Sequence, residues 1–127
     1  MECYPGQLNQ VFMNIIANAI DALEEDSHSE AIAANEANPR SIKIYTKVLD
    51  TQVVEIRISN NGQEITEAVR NQLFNPFFTT KPVGKGTGLG LSIGYQIITV
   101  RHKGELQCTS TPGKSVEFMI KIPISLQ

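Results

Sequence analysis

The amino-acid sequence predicts an α+β domain in which helices lie on one face of a mixed, mostly antiparallel sheet, as a two-layer sandwich. The elements are expected in the order helix, two strands, short helix, glycine-rich loop, helix, two strands. Strands in adjacent pairs with short turns favour hairpins, and helices that precede pairs of strands are inconsistent with a doubly wound parallel sheet. The 127 residues fit one domain, spanning 1–127, and the hydrophobic share of 41% is ordinary for a globular protein.

Composition excludes several classes of protein. A net charge of −2 gives no general attraction to nucleic acid or anionic lipid. No apolar run approaches the ~20 residues that span a bilayer, and the N-terminus lacks the apolar h-region that is typical of a signal peptide. Cys3 and Cys108 lack metal-ligand spacing, so reduced structural thiols in a cytoplasmic domain are expected.

The first helix is expected from about Gln7 to Glu25, because apolar residues recur there at i, i+3, i+4 and i+7. This apolar face consists of Leu8, Val11, Phe12, Ile15, Ile16, Ala19 and Leu23. Asn14 and Asn18 lie four residues apart on a stripe that borders this face, with Asp21 close by. Asparagine is a poor helix former. The pair therefore predicts either oxygen ligands for a magnesium ion that bridges phosphates or side chains bonded to neighbouring backbone.

The first two strands follow a polar connection from Asp26 to Arg40. Apolar and polar residues alternate from Ser41 to Leu49 and again from Val53 to Ser59. With only "DTQ" between them, these segments predict an antiparallel hairpin.

The second half of the chain is expected to hold two helices and a second hairpin. A short helix is predicted from Ile65 to Phe74 with Thr66 as its cap, and a longer one from about Leu89 to Lys103, ending at Gly104. The last two strands are "ELQCTS" and "SVEFMIKIPI", on either side of the turn "TPGK".

The segment "VGKGTGLGLSIG", Val83 to Gly94, contains five glycines and runs into the last helix. Glycine loses the most conformational freedom on folding, so a cluster of glycines indicates close approach of the backbone to another group. Anions held by N–H groups at the start of a helix are the usual occupants. The alternative is a flexible loop that binds nothing.

Two common nucleotide motifs are absent. The dinucleotide fingerprint needs glycines at i, i+2 and i+5, and Leu89, Leu91 or Ile93 occupies the third position in each possible register. The "GKS" that begins at Gly113 is not a P-loop, because Cys108 stands where that motif needs glycine.

Three segments carry a specific resemblance. "QLNQVFMNIIANAIDALEE" resembles the N-box of sensor histidine kinases, "LFNPFFTTK" their F-box and "GKGTGLGLSI" their G2 box, in the family's order and over essentially the whole chain. The resemblance implies a Bergerat-type α/β sandwich, shared with gyrase, heat-shock chaperones and mismatch-repair ATPases. It also implies a domain that binds ATP with Mg²⁺ and transfers the γ-phosphoryl group to a histidine on a separate segment.

The resemblance assigns roles to individual residues. It implies that Asn18 ligates magnesium and that Asn14 and Lys81 are catalytic, Asn14 beside the phosphates and Lys81 as a charge that reaches them. Hydrolysing relatives carry glutamate at the position of Asn14, and an amide cannot take a proton from water, so a stand-alone ATPase is disfavoured. Phe74 is expected in the core and Phe77 to Lys81 in a lid. The other implied nucleotide contacts are Asp21, Asn60, Gly62, Ile65, Phe78, Thr79, Thr80, Gly86, Thr87, Gly88, Leu89, Gly90 and Leu91.

The chain departs from the family on the side that recognises the base. The G1 box, roughly D-x-G-x-G, reads "NNGQE", which places Asn60, Gly62 and Glu64 at its defining positions. The family's aspartate accepts a hydrogen bond from the adenine amino group; Asn60 is expected to keep an acceptor oxygen without the charge. Glu64 adds a bulky carboxylate, and Val116 stands where a threonine usually helps to hold adenine.

Two functions are compatible with this pattern. One is a working kinase domain with weakened or altered base recognition, and the intact N-box and G2 box favour it. The other is a degenerate, pseudokinase-like domain kept as a signalling scaffold with weak or no nucleotide binding.

The phosphate acceptor is expected on another segment. His28 and His102 are the only histidines; neither has the acceptor's usual context, and both are expected at the surface. The chain is therefore expected to be the C-terminal piece of a longer histidine kinase, without its dimerisation helices and with Met1 not its natural start. Alone, it is not expected to label itself with ATP. The implied partners are the parent's phosphoacceptor domain and a response regulator, without nucleic acid or direct membrane contact. The signal, the regulator, the oligomeric state and the parent's membrane attachment stay open.

Overall fold

The computed structural model describes residues 1–27, 39–50, 52–62, 65–76, 90–111 and 115–125. In order, its elements are α1 (Pro5–Ser27), β1 (Ile42–Leu49), β2 (Val53–Asn60), α2 (Glu67–Arg70), α3 (Gly90–Gln96), β3 (Glu105–Thr111) and β4 (Ser115–Pro123). A π-helical turn, Ile97–Arg101, continues α3 towards β3. The predicted α+β order is confirmed.

The four strands form one sheet in the order β1-β2-β4-β3, and each of these described pairs is antiparallel. Rows of facing residues cross the sheet: Ile58 of β2 pairs with Ile44 on one side and with Phe118 on the other. Facing residues of antiparallel strands share one face of the sheet. The antiparallel pairing of β1 with β2 confirms the predicted hairpin. The register of the strands decides which side chains point towards the helices.

The core lies between the sheet and the two longer helices. From α1 it takes Leu8, Val11, Ile15 and Ala19, and from the sheet chiefly Ile56, Ile58, Leu106, Cys108, Val116, Phe118, Ile120 and Ile122. Burial of each large aliphatic side chain stabilises the fold by about 1.5–3 kcal/mol. The predicted apolar face of α1 is thus the face that meets the sheet.

The helix α3 packs against α1 at Gly94. A Cβ at that position would lie 3.7 Å from Val11 of α1, at ordinary contact distance. Phe74 closes this side of the core, with its ring stacked on Tyr95 at a centroid distance of 5.1 Å. Its predicted core position is confirmed.

The face of the sheet away from the helices is polar. Arg57 of β2 bridges two carboxylates, at 3.0 Å from Glu55 and 3.1 Å from Glu117. Glu55 is only 5% exposed, and its hydrogen bond and charge raise the pKa of Arg57. A buried carboxylate needs such a partner.

None of the helices in the described ranges is long and apolar enough to cross a membrane.

The short helix is briefer than predicted. The Thr66 hydroxyl accepts a hydrogen bond from the Val69 N–H at 3.2 Å, so the predicted cap is confirmed, but α2 ends at Arg70. Turns follow it. In these turns the N–H groups bond to carbonyls three residues earlier, as from Gln72 to Val69 at 3.0 Å. Helix is also disfavoured at Asn75, which precedes Pro76.

The predicted helix from Leu89 to Lys103 changes its geometry after Gln96. The α-helix gives way to the π-helical turn, in which the His102 N–H bonds to the Ile97 carbonyl, five residues earlier, at 3.1 Å. The Gly104 N–H then bonds to the Ile98 carbonyl at 2.8 Å. The wide turn brings the His102 side chain inwards.

The prediction that His102 is a surface residue is wrong, because its exposure is 0%. Its Nε2 accepts a hydrogen bond from the Tyr4 N–H at 3.0 Å, and its Nδ1 lies 2.9 Å from the Ile97 carbonyl oxygen. A backbone N–H can only donate, so Nε2 is the acceptor and the ring proton sits on Nδ1. His102 therefore fastens the segment before α1 to the π-helical turn.

Replacing His102 with alanine is expected to lower the free energy of unfolding by about 2–4 kcal/mol. The change leaves a cavity and deprives the Tyr4 N–H and the Ile97 carbonyl of a buried partner. Urea denaturation followed by circular dichroism measures the loss. Arg101→Ala, at the exposed neighbouring position, is the control and is expected to change stability by less than about 0.5 kcal/mol. Equal urea midpoints for the two variants would show that His102 does not hold the segment before α1 to the π-helical turn.

The Cys108 thiol is expected to be unreactive in the folded chain. Both cysteines are free, and burial raises the pKa of Cys108 from an ordinary 9.0 to about 11, partly opposed by the charge of Arg70. In a Cys3→Ser variant, labelling by a thiol reagent should be slow near pH 8 and should rise about tenfold per pH unit. Because the unfolded thiol ionises first, stability should fall as pH rises from 9.0 towards about 11. Rapid labelling of the native protein at neutral pH would contradict this placement.

Candidate nucleotide site

One edge of α1 carries the polar residues that the sequence singled out. Asn14, Asn18 and Ala22 follow one another at intervals of four residues, so they lie in one line along the helix. Because the apolar face is buried against the sheet, this line runs along the margin of the core, where Asn14, Asn18 and Asp21 are half-buried.

At one end of this line, α1 is joined to the start of α3. The side-chain Nδ2 of Asn14 donates a hydrogen bond to the Gly90 carbonyl at 3.3 Å. A Cβ on Gly90 would meet the Asn14 side chain at 3.5 Å, an ordinary contact distance. The Leu91 side chain packs against the core. The N-box asparagine and the end of the glycine-rich segment, distant in sequence, are therefore neighbours in the fold.

At the other end, α1 meets the turn after β2. A Cβ placed on Gly62 would stand 2.9 Å from Asn60 Oδ1 and 3.3 Å from the Ala22 carbonyl oxygen. The first distance is shorter than a real Cβ contact, so a larger residue here would have to displace the Asn60 side chain. The Gly62 N–H donates to Asn60 Oδ1 at 2.9 Å.

Asn60 lies in a row of residues across the end of the sheet. It pairs with Ile42 of β1 and with Val116 of β4, which in turn pairs with Ser110 of β3. Asn60 and Val116 are both buried, at 6% and 3% exposure. The two positions that depart from the family pattern are therefore side by side on the helix-facing side of the sheet.

Two further residues shape this corner and were not identified from the sequence. The Ser110 hydroxyl accepts a hydrogen bond from the Ile65 N–H at 3.1 Å, which ties the loop after Gly62 to β3. Asn61 holds the entry to β1: its Oδ1 accepts from the Ser41 N–H at 2.8 Å, and its Nδ2 donates to the Pro39 carbonyl at 2.7 Å. No local sequence pattern signals either role, because each depends on strand pairing.

The structure brings together part of the predicted site. Of the proposed contacts, Asn14 touches Gly90 and Asn60 touches Gly62, while the side chain of Ile65 packs against the core. The remaining predicted residues, together with Glu64 and His28, lie outside the described residues and stay predictions: Phe78, Thr79, Thr80, Lys81, Gly86, Thr87, Gly88 and Leu89.

The length of α1 sets the distance between the two ends of the line. Asn14 and Ala22 are eight residues apart, which is about 12 Å along a helix that rises 1.5 Å per residue. An extended ligand could therefore lie along this edge of α1, with one end beside Gly90 and the other beside Gly62.

A second depression lies elsewhere on the surface and contains none of these residues. It is an open groove lined by Tyr4, Gln7, Gln10, Ile93, Gln96, Ile97, Val100, Arg101 and Lys103.

Comparison with known proteins identifies the class of this site. Residues 3–126 match the family model described as histidine kinase-, DNA gyrase B- and HSP90-like ATPase, and the chain belongs to that family. It is 37% identical to sporulation kinase E of Bacillus subtilis over 96% of its own length, and 38% identical to sensor kinase CckA of Brucella abortus over 93%. It spans only 14% and 12% of the length of these two relatives.

A solved structure narrows the class further. The catalytic domain of histidine kinase ThkA, in a nucleotide-free form, superposes with a TM-score of 0.76 at 32% identity, covering 99% of this chain and 72% of that one. Within the family, these likenesses identify the chain as a histidine kinase catalytic domain of the two-component type. The predicted fold and family are confirmed.

Gly62→Ala is expected to destabilise the domain by about 1–3 kcal/mol, because the added methyl group forces Asn60 away from α1. Gly6→Ala is the matched control: a Cβ at Gly6 meets nothing within 4 Å, so alanine should be neutral or stabilise the helix by up to about 1 kcal/mol. Urea unfolding of both variants measures the difference. A Gly62→Ala protein as stable as the parent would mean that this corner is not closely packed.

Proposed function

We propose that this domain binds ATP with Mg²⁺ along the polar edge of α1 and transfers the γ-phosphoryl group to a histidine on another segment. The observation that carries the proposal is the line of Asn14, Asn18 and Ala22, which ends beside Gly90 at one end and beside Gly62 at the other. Its length of about 12 Å matches an extended ligand with its phosphates and base at opposite ends.

The phosphates belong at the Gly90 end in this proposal. The glycine-rich segment reaches α1 there, and backbone N–H groups of such segments bind anions. Asn14 has a positioning role, since its hydrogen bond to the Gly90 carbonyl holds the end of the segment against α1. Lys81 is proposed to neutralise phosphate charge.

A magnesium ion fits this end of the site with few protein ligands. Magnesium keeps several waters and binds through one or two side chains together with phosphate oxygens. Asn18, one helical turn beyond Asn14, would offer an oxygen. No group of three or more His, Cys, Asp or Glu side chains that could hold a metal occurs among the described residues. The proposed magnesium ion would therefore be held mainly by the phosphates of the nucleotide and by Asn18.

The base belongs at the Gly62 end. At Gly62 the turn backbone lies close to both α1 and the end of β2. Asn60 and Val116 form the floor of this corner, and Ile65 is fixed to Ser110 beside it. The family's glycine is retained at Gly62, while Asn60 and Val116 are the changed positions.

Transfer is favoured over hydrolysis by the chemistry of Asn14. ATP supplies the phosphoryl group, and the contribution of the protein to such transfers is mainly positioning and charge stabilisation. The amide of Asn14 cannot act as the base that activates water. The site can therefore hold ATP until an acceptor arrives.

The acceptor in this proposal comes from another part of the parent protein. His102 cannot serve, because it is buried and both ring nitrogens are engaged by backbone groups. A response regulator would receive the phosphoryl group afterwards, and the reaction would take place in the cytoplasm, where ATP is available. The relatives are kinases by name, so the comparisons give the scaffold alternative no support.

Asn18→Ala is expected to weaken magnesium-dependent ATP binding by about tenfold or more, as for the loss of one hydrogen bond to a charged group. In the parent, Mg-ATP at a hundred times its dissociation constant should add about 2.7 kcal/mol of stability, visible as a rise in melting temperature. Asn9→Ala, at an exposed asparagine of the same helix, controls for the loss of an amide and should bind like the parent.

Two outcomes would contradict the proposal separately. A parent that shows no melting shift with Mg-ATP would favour the scaffold. An Asn18→Ala variant that binds Mg-ATP as tightly as Asn9→Ala would leave the ATP site in place and remove Asn18 from the metal.

A further inference from the structure

The side chain of Asn60 is fixed in one orientation by its surroundings. Its Oδ1 accepts the Gly62 N–H at 2.9 Å, and the backbone of Gly62 is so close that a Cβ there would lie 2.9 Å from the same oxygen. A backbone N–H can only donate. The atom that faces Gly62 is therefore the oxygen, and turning the amide over would set N–H against NH₂.

The other arm of the amide, Nδ2, is the group that remains for a ligand. Asn60 is only 6% exposed, yet Nδ2 makes no hydrogen bond in the described part of the chain and is not among its buried unpaired atoms. The oxygen that Asn60 is expected to offer to the base already accepts the Gly62 N–H, whereas the arm without a hydrogen bond in the described part of the chain is a donor.

The residues beside Asn60 on the two neighbouring strands offer the base no hydrogen-bond acceptor in place of the Asn60 oxygen. On one side it pairs with Ile42 and on the other with Val116. Both side chains are hydrocarbon and form no hydrogen bonds. Of Asn60 and these two neighbours, Asn60 alone therefore presents a polar side-chain atom beside the Gly62 turn, its Nδ2.

A donor at this point distinguishes purines by the group at carbon 6. Adenine presents an amino group there, which is also a donor, so the two would repel each other or lose their partners. A 6-oxopurine, such as hypoxanthine or guanine, presents a carbonyl oxygen that accepts from an amide NH₂. Buried polar groups without a partner are the strongest source of such discrimination.

We propose that Asn60 reverses the hydrogen bond at the base end of this site, so that the domain favours 6-oxopurine nucleotides over adenine nucleotides. This inference rests on the proposed nucleotide site and names its substrate class. Asn60 is the specificity-determining residue, and Gly62 positions it.

The test compares ATP with inosine triphosphate, because the two differ only in the edge of the base at carbon 6 and the adjoining nitrogen. Isothermal calorimetry with magnesium on the parent chain should show inosine triphosphate bound at least threefold more tightly than ATP. Asn60→Asp keeps an oxygen for Gly62 and turns the open arm into an acceptor. The ratio of the two dissociation constants should then move at least tenfold towards ATP.

Asn61→Asp is the matched control, since it adds the same charge one residue along. The Asn61 side chain is directed to Ser41 and Pro39 instead of the Asn60 row, so its variant should keep the parent's ratio, with folding checked by thermal melting.

The outcomes separate this inference from the proposed function. A parent that binds ATP tenfold more tightly than inosine triphosphate, or a ratio that Asn60→Asp leaves unchanged, would overturn the base preference and leave the nucleotide site standing. Binding of neither nucleotide nor inorganic tripolyphosphate would overturn both. The ratio of the parent is measured directly, so the base preference is tested even if Asn60→Asp does not fold.

Discussion

Burial of one face of α1 is the constraint on which the rest of the domain depends. Val11 and Ile15 are each 1% exposed and lie against the sheet. Helical spacing then leaves no freedom for the residues between them: Asn14 and Asn18 must lie at the margin of the core. The helix α3 packs against Val11 at Gly94, and this contact brings Gly90 to Asn14. The packing of a single helix face thus aligns the helix, the end of the glycine-rich segment and the half-buried edge between them.

The two ends of that edge are held by different physical means. At Gly90 the link is a side-chain hydrogen bond, and the backbone there would accept a Cβ at ordinary distance. At Gly62 a hydrogen bond to Asn60 is joined by close packing, because a Cβ there would lie 2.9 Å from Asn60 Oδ1 and 3.3 Å from the Ala22 carbonyl oxygen. A hydrogen bond can break and re-form at little cost, whereas close packing resists displacement. The Gly62 end is therefore the more rigid of the two.

Most of the fold could be predicted from the sequence because its periodicities record burial directly. The apolar stripe of α1, the alternation in the strands and the Thr66 cap each depend on residues close together in the chain, and each was confirmed. The asparagine stripe follows from the same periodicity. The prediction of a nucleotide site came from the order of three segments that resemble a family, which no periodicity supplies.

The features that the sequence could not predict depend on partners distant in the chain. "VRHKG" resembles a polar helix end, but His102 is buried because its ring meets the Tyr4 N–H, 98 positions away in sequence. The orientation of the Asn60 amide is set by the Gly62 backbone, and the role of Ser110 by the strand pairing that places it beside Ile65. In each case the amino-acid type was visible, whereas the hydrogen-bond partner was not.

The π-helical turn determines how the domain would respond to an insertion or a deletion in this helix. Each residue added to or removed from an α-helix rotates the remainder of the helix by about 100°. The wide turn at Ile97–Arg101 takes up one residue more than an α-helical path would need. Deleting a single residue there would return the segment to an α-helical path, with Gly90 still beside Asn14 and the residues after the turn still facing the same way. A change of one residue in chain length can therefore be absorbed within this turn without displacing α1 or the sheet.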